Sequence, residues 1–153
     1  MTDHTDRTWM TLALEEARRA AAESEVPVGA VLVMGDVVIG RGHNKVEALR
    51  DATAHAEMRA LQDAAGRLGA QRLNDATMYV TLEPCPMCLG AMVLARVGSI
   101  VYGTRDTKFG ACGSVVDLLK EDAEWNHRPT VRGGVAAEES SELMQAFFRR
   151  LRT

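Results

Sequence analysis

Pro84-Cys85-Pro86-Met87-Cys88 decides how this chain is read, because it joins a strand to a helix and carries two thiols across the join. Just upstream, Thr77 to Leu82 is rich in β-formers and follows the turn signal Asn74-Asp75. Pro86 suits the first turn of a helix, which is expected to run to about Arg96. Further upstream, Ala54 to Leu68 reads as another helix, with Thr53 as its N-cap. The apolar runs Ala30 to Met34 and Val37 to Gly40 flank Gly35-Asp36, which marks a hairpin turn.

Towards the N-terminus, Trp9, Leu12, Ala13, Ala17, Ala20 and Ala21 recur at helical steps, so Thr8 to Glu25 reads as a helix. Val26-Pro27-Val28-Gly29 stops it. Downstream of the two cysteines the expectation is a strand at Ser99 to Tyr102 and a glycine-bearing loop at Gly103 to Gly113. A short helix at Val115 to Leu119, a strand at Thr130 to Val135 and a last helix at Glu138 to Leu151 follow. Strands and helices mixed in this order imply a central sheet with helices on both faces, an α/β layered domain.

The 153 residues fit a single domain, 1–153, with no linker, repeat or low-complexity stretch. Hydrophobic residues make up 46% and charged residues 25%, which excludes a disordered tail, a fibre or a coiled coil. Aromatics are only 5%, so the core is aliphatic, with eight methionines to fill gaps. A formal net charge of −3 argues weakly against nucleic acid, although a local basic patch still binds phosphate. Three cysteines are no disulfide scaffold. The polar stretch Met1 to Met10 has no secretory h-region, and no apolar run spans a bilayer. These features lead to the expectation of a reducing, cytoplasmic protein with no membrane segment.

Cys85 and Cys88, three apart, share one helix face and suit a tetrahedral zinc ion. The N–H groups and positive dipole of a helix start stabilise thiolate charge. His55-Ala56-Glu57 lies at the start of the other helix. If the metal sits just beyond both helix N-termini, His55 is a third ligand and Glu57 stands beside the site without binding. Three protein ligands leave the fourth position open, as in a catalytic zinc site. Such an ion lowers the pKa of a water, and a carboxylate beside it takes and returns the proton. His-x-Glu alone is common on helix surfaces. Cys-x-x-Cys alone also fits a thioredoxin-like redox pair or a structural zinc module. The combination, in this order and with Pro before the first Cys, is the zinc-dependent base-deaminase signature.

Over nearly its whole length the chain resembles the bacterial tRNA adenosine deaminases of the cytidine-deaminase-like superfamily. The stretches that carry the resemblance are Val26 to Val31, Asp51 to Glu57 and Thr81 to Cys88. Gly110-Ala111-Cys112-Gly113-Ser114, Asn126-His127-Arg128 and Phe147-Phe148-Arg149-Arg150 point to the tRNA enzymes within that superfamily. The resemblance implies a three-layer α-β-α fold around a five-stranded mixed sheet, and a homodimer. It implies one Zn2+ per subunit on His55, Cys85 and Cys88, with Glu57 as the catalytic proton shuttle. The implied reaction is hydrolysis of adenosine to inosine at the wobble position of a tRNA anticodon stem-loop. A free-base or nucleoside deaminase, acting on guanine or cytosine, is the alternative on the same fold.

By the same resemblance, Asn44 matches a base-reading asparagine whose amide offers both donor and acceptor. Asp106 matches a substrate contact at a ribose hydroxyl. Phe147, Phe148 and Arg149 are candidates for stacking on anticodon bases and for phosphate contact, with core packing of the phenylalanines as the plain alternative. Cys112 is expected to be a partly buried thiol, not a ligand. His4, His43 and His127 are expected to be surface or loop residues, His127 with a possible part in the anticodon site. Leu89 to Ala95 is either core or a dimer contact. The ending at Arg152-Thr153, with few basic residues, leads to the expectation of modest RNA affinity or a basic patch shared across a dimer.

Overall fold

The structure is a computed structural model and describes residues 3–152. Met1, Thr2 and the terminal Thr153 of the short basic ending lie outside the described residues. In chain order the elements are α1 (Asp3–Ala22), β1 (Gly29–Met34), β2 (Val37–His43), α2 (Val46–Leu49) and α3 (Ala56–Leu68). There follow β3 (Ala76–Leu82), α4 (Pro86–Leu94), β4 (Ser99–Thr104), β5 (Thr130–Arg132) and α5 (Ala137–Leu151).

The five strands lie in the order β2-β1-β3-β4-β5. β1 pairs antiparallel with β2 and β3, whereas β3–β4 and β4–β5 are parallel, so the sheet is mixed. Strand alternation splits the core in two. Ala30, Leu32, Met78, Val80 and Ile100 face α3 and α4, whose Ala56, Ala60, Ala64, Leu89 and Met92 complete that layer. Val31, Val33, Tyr79 and Val101 face the other way, onto Met10, Ala13 and Leu14 of α1 and Leu143 of α5. This is the three-layer α-β-α sandwich expected.

An ionic tie closes the α1 side. Asp6, nearly fully buried, accepts two hydrogen bonds from the Arg132 guanidinium at 3.0 and 3.1 Å and one from the Tyr79 hydroxyl at 3.2 Å. It thereby joins the first turn of α1 to β3 and to the edge strand β5. Burial and the facing Asp6 charge push the Tyr79 phenol well above its usual range.

Several boundaries differ from those read in the sequence. α1 starts earlier, at Asp3, and stops at Ala22, where Ser24 turns left-handed (φ 62°) and the Glu25 N–H returns to the Ala20 carbonyl at 2.9 Å. Thr53 does not cap α3: its N–H and hydroxyl both donate to Asp51 Oδ1, at 2.8 and 2.7 Å. The cap position belongs to His55, and the first helical N–H, of Ala56, donates instead to Asn44 Oδ1 at 3.0 Å. Val115 to Leu119 is not a helix. It folds back, with a bridge between Cys112 and Asp117 and a Leu118 N–H bond to the Ala111 carbonyl at 3.1 Å. β5 ends at Arg132, before Gly133 and Gly134, and the short helix α2 was not foreseen. No helix among the described residues is long and apolar enough to cross a membrane.

α3 lies directly on β2 because that strand carries no side chain at the contact. A Cβ on Gly42 would sit 2.5 Å from the Ala56 carbonyl oxygen and 2.6 Å from the Ala60 nitrogen, both backbone atoms that cannot step aside. Gly42→Ala is therefore expected to destabilise the protein by about 2–3 kcal/mol, as overpacking of a tight contact does. Urea unfolding, followed by the two tryptophans, measures the loss; an unchanged midpoint would disprove the close-contact argument.

Candidate active site

Two helix N-termini meet on one side of the sheet. His55 occupies the N-cap of α3 and Cys85 the N-cap of α4, with Cys88 in the first turn of α4. Pro86 starts α4 at the position where a missing N–H costs nothing. β1 and β3 are neighbours in the sheet, and β3 feeds α4, so the two helix starts are brought together by strand order rather than by loop chance.

The His55 Nδ1 lies 3.5 Å from Cys88 Sγ and 3.6 Å from Cys85 Sγ. The three ligand atoms all fall within 4.8 Å of one another, the one such group among the described residues. With metal–sulfur and metal–nitrogen bonds of about 2.3 and 2.0–2.1 Å, a tetrahedron has N···S edges of about 3.6 Å. The donor set and its spacing therefore fit a single tetrahedral ion held by three protein atoms. Cys112 is not part of the group. Burial first, then the Glu83 charge, pushes its thiol up to about 12, which keeps it protonated.

The electrostatics suit a cation. A hydrogen bond from Cys88, together with His55, outweighs burial and lowers the Cys85 thiol to about 4. The same hydrogen bond, with burial, pushes Cys88 far up, and the Cys85 contact raises His55. Both helix dipoles add positive potential at the thiols. Glu57, in the first turn of α3, is almost completely buried, and that burial raises its carboxyl to about 7. A carboxyl balanced near neutral pH both accepts and releases a proton readily.

His55, Cys85 and Glu57 line a cleft of about 980 Å³, at the upper end of the roughly 300–1,000 Å³ usual for small-molecule sites, with Cys88 buried behind them. Asn44 and Asp106 line it. The Asn44 Oδ1 accepts the Ala56 N–H, which ties this amide to the head of α3. Asp106 Oδ1 accepts the N–H groups of Lys108 (3.0 Å) and Phe109 (3.2 Å), which shapes the turn on the cleft wall.

The last helix is rotated differently from the expectation. Phe147 is buried and off the cleft, whereas Phe148, packed edge-to-face on it (5.3 Å, 82°), lines the cleft. Arg149 lies outside the cleft, in a shallow groove with Arg18 and Glu142. His127 is not at the cleft either; its Nε2 contacts the Val97 carbonyl at 2.6 Å and pins a loop. His43 is held between Glu16 (2.9 Å) and Glu23 (3.1 Å).

Several cleft residues were not foreseen. Among them, Met87 and Phe109 had no pattern that marked them as cleft residues. Glu25 is a buried acid whose carboxylate accepts the N–H groups of Glu47 and Ala48, at 3.0 and 2.8 Å. The only sequence signal for it was an acid placed against the apolar Val26-Pro27-Val28 run.

A family model described as MafB19-like deaminase matches residues 4–152. A tRNA-specific adenosine deaminase of Bacillus subtilis (strain 168) is 47% identical over 147 residues, covering 96% of this chain and 91% of that protein. A tRNA(Ile)-lysidine synthase of Deinococcus radiodurans is 50% identical over 141 residues, but the match covers 92% of this chain and only 24% of that longer protein. A solved structure from a study of A-to-I editing by tRNA:A34 deaminases at the wobble position superposes with a TM-score of 0.84 at 45% identity. That match covers 89% of this chain and 98% of the other.

Removing one sulfur from the trio leaves two ligands, too few to hold the ion. Cys88→Ala is expected to drop metal from near one ion per chain to near zero, read by elemental analysis of the purified protein.

Proposed function

Because this chain belongs to the MafB19-like deaminase family, we propose that it is a zinc-dependent hydrolase that converts adenosine to inosine at the wobble position of a tRNA anticodon. The observation that carries the reading is the His55–Cys85–Cys88 trio at tetrahedral spacing with the buried Glu57 beside it. Residues 1–153 then form one deaminase domain.

Zinc on His55, Cys85 and Cys88 would supply Lewis acidity that lowers the pKa of a water to near neutrality. Glu57 takes a proton from a water as the water oxygen adds to C6 of the adenine ring, and delivers that proton to N1. Glu57 then carries the proton of the new C6 hydroxyl to the exocyclic amine, which leaves as ammonia as the C6 carbonyl forms. A carboxyl near pH 7 suits both halves of this exchange. The Asn44 Nδ2 donates to an acceptor on the edge of the base, and Asp106 accepts from a ribose hydroxyl. Phe148, with Phe147 packed behind it, stacks on a splayed neighbouring base. Arg149, outside the cleft, is left to a backbone phosphate. The reading carries with it a homodimer acting in the cytoplasm, as the sequence resemblance implies. Leu89 and Met92 of α4 are core, and Leu94, 81% exposed, is the large apolar side chain of that helix open to a partner.

Incubation with a synthetic anticodon stem-loop bearing adenosine at the wobble position is expected to yield inosine, detected by mass spectrometry of the digested RNA. Glu57→Ala should keep its zinc and lose at least about 100-fold in rate, the usual worth of a positioned proton carrier. An active Glu57→Ala protein would remove Glu57 from the chemistry. Ammonia from free guanine or cytosine, with none from the stem-loop, would favour a free-base deaminase.

A further inference from the structure

Glu83 is charged, only 2% exposed and unused by the chemistry above. Its carboxylate accepts four hydrogen bonds. On Oε1 they come from the Asp106 N–H (3.1 Å) and the Ser114 hydroxyl; on Oε2 they come from the N–H groups of Cys112 (2.9 Å) and Ser114 (3.2 Å). Four donors saturate a carboxylate, and all four belong to one loop. That loop is wrapped so closely that a Cβ on Gly110 would lie 2.5 Å from both Cδ and Oε2 of Glu83. The flanking backbone is tied as well: the Glu83 N–H donates to the Thr104 carbonyl at 2.9 Å, and the Ala111 N–H to the Pro84 carbonyl at 2.8 Å.

The outer side of the same loop is cleft wall, formed by Arg105, Asp106, Lys108 and Phe109. Phe109 is 66% exposed and Lys108 is exposed, so these side chains do not fix the loop from outside. A loop with glycines at 110 and 113 and little apolar burial needs an internal template to hold one conformation.

We propose that Glu83 is a positioning residue: its buried carboxylate is the template on which the 105–114 loop folds as the substrate-facing wall of the cleft. One end of this template is covalently fixed, since Glu83-Pro84-Cys85 joins it to a residue of the metal trio. The wall is therefore tied to the trio through Glu83, and Asp106 with it. The inference rests on the deaminase reading only in naming what the wall contacts.

Glu83→Gln keeps size and shape but puts an amide N–H₂ against donors of the loop. The wall contacts substrate away from the reacting carbon, so its binding energy is shared by ground and transition states. In the zinc-loaded protein, Glu83→Gln is expected to raise KM for the stem-loop about tenfold or more, the worth of one charge-assisted hydrogen bond. kcat should stay within about threefold and zinc should stay near one per chain. Amide hydrogen exchange should accelerate across residues 105–114 and not in α3 or α4. Ser114→Ala removes the hydroxyl that bonds Glu83 and accepts from Arg105 Nε at 3.0 Å, both within the loop's template, and should shift KM and loop exchange in the same direction by less, which keeps the test valid if Glu83→Gln folds poorly. Wild-type KM and wild-type loop exchange in both variants would overturn the proposal. So would a fall in kcat with zinc loss at unchanged KM, which would make Glu83 a support of the metal trio instead. If the unmutated protein leaves the stem-loop adenosine intact, the deaminase reading fails, and the exchange measurement still decides the role of Glu83.

Discussion

Two helix N-termini aimed at one point repel each other, and everything at this site answers that repulsion. The starts of α3 and α4 each bring unpaired N–H groups and roughly half a positive charge to the same small volume. The residues placed there are those that carry or tolerate negative charge: two thiols, a carboxyl and an imidazole that accepts. The same positive field that makes the convergence unfavourable for an empty apolar pocket makes it favourable for thiolates, and thiolates call for a soft cation. The β1–β3–β4 order and the bare surface of β2 at Gly42 exist in this account to press those two helix starts together.

How much of this was legible in the sequence depends on how far apart the interacting residues lie. Cys85 and Cys88 are one turn apart, and His55 and Glu57 sit at the head of a periodic segment; that spacing suggested the trio and its neighbour, and the resemblance to the deaminase signature selected it over a redox pair. The α/β layering followed from element order. What failed was governed by distant partners. Thr53 has a good capping side chain, yet α3 begins two residues later because Asn44, from the end of β2, supplies the cap from across the fold. Val115 to Leu119 has apolar residues at helical steps, yet the Glu83 carboxylate draws in the N–H groups of Cys112 and Ser114 and bends the segment back. Phe147 and Phe148 are adjacent, and a helix turns about 100° between them; composition does not say which one faces in.

The acidic net charge and the editing of an RNA are reconciled by locality. Five of the 21 acids, Asp6, Glu16, Glu25, Glu57 and Glu83, are buried. Asp6 and Glu16 are matched by arginines, and Glu25 and Glu83 accept hydrogen bonds from backbone N–H groups. These five are held inside the fold and stand away from the surface a phosphate backbone meets. Arg105 and Lys108 stand on the cleft rim, where an approaching strand meets them first.

The Asn44 side chain has one consequence for how such a protein diversifies. Its oxygen closes the head of the helix that bears the imidazole, and the side chain lies on the cleft wall. One amide group thus belongs both to the architecture and to the cleft surface. A replacement that altered the cleft here would also loosen the imidazole's mooring, so drift at this position is penalised twice. Change would be freer at Phe109, whose ring on the cleft wall is 66% exposed.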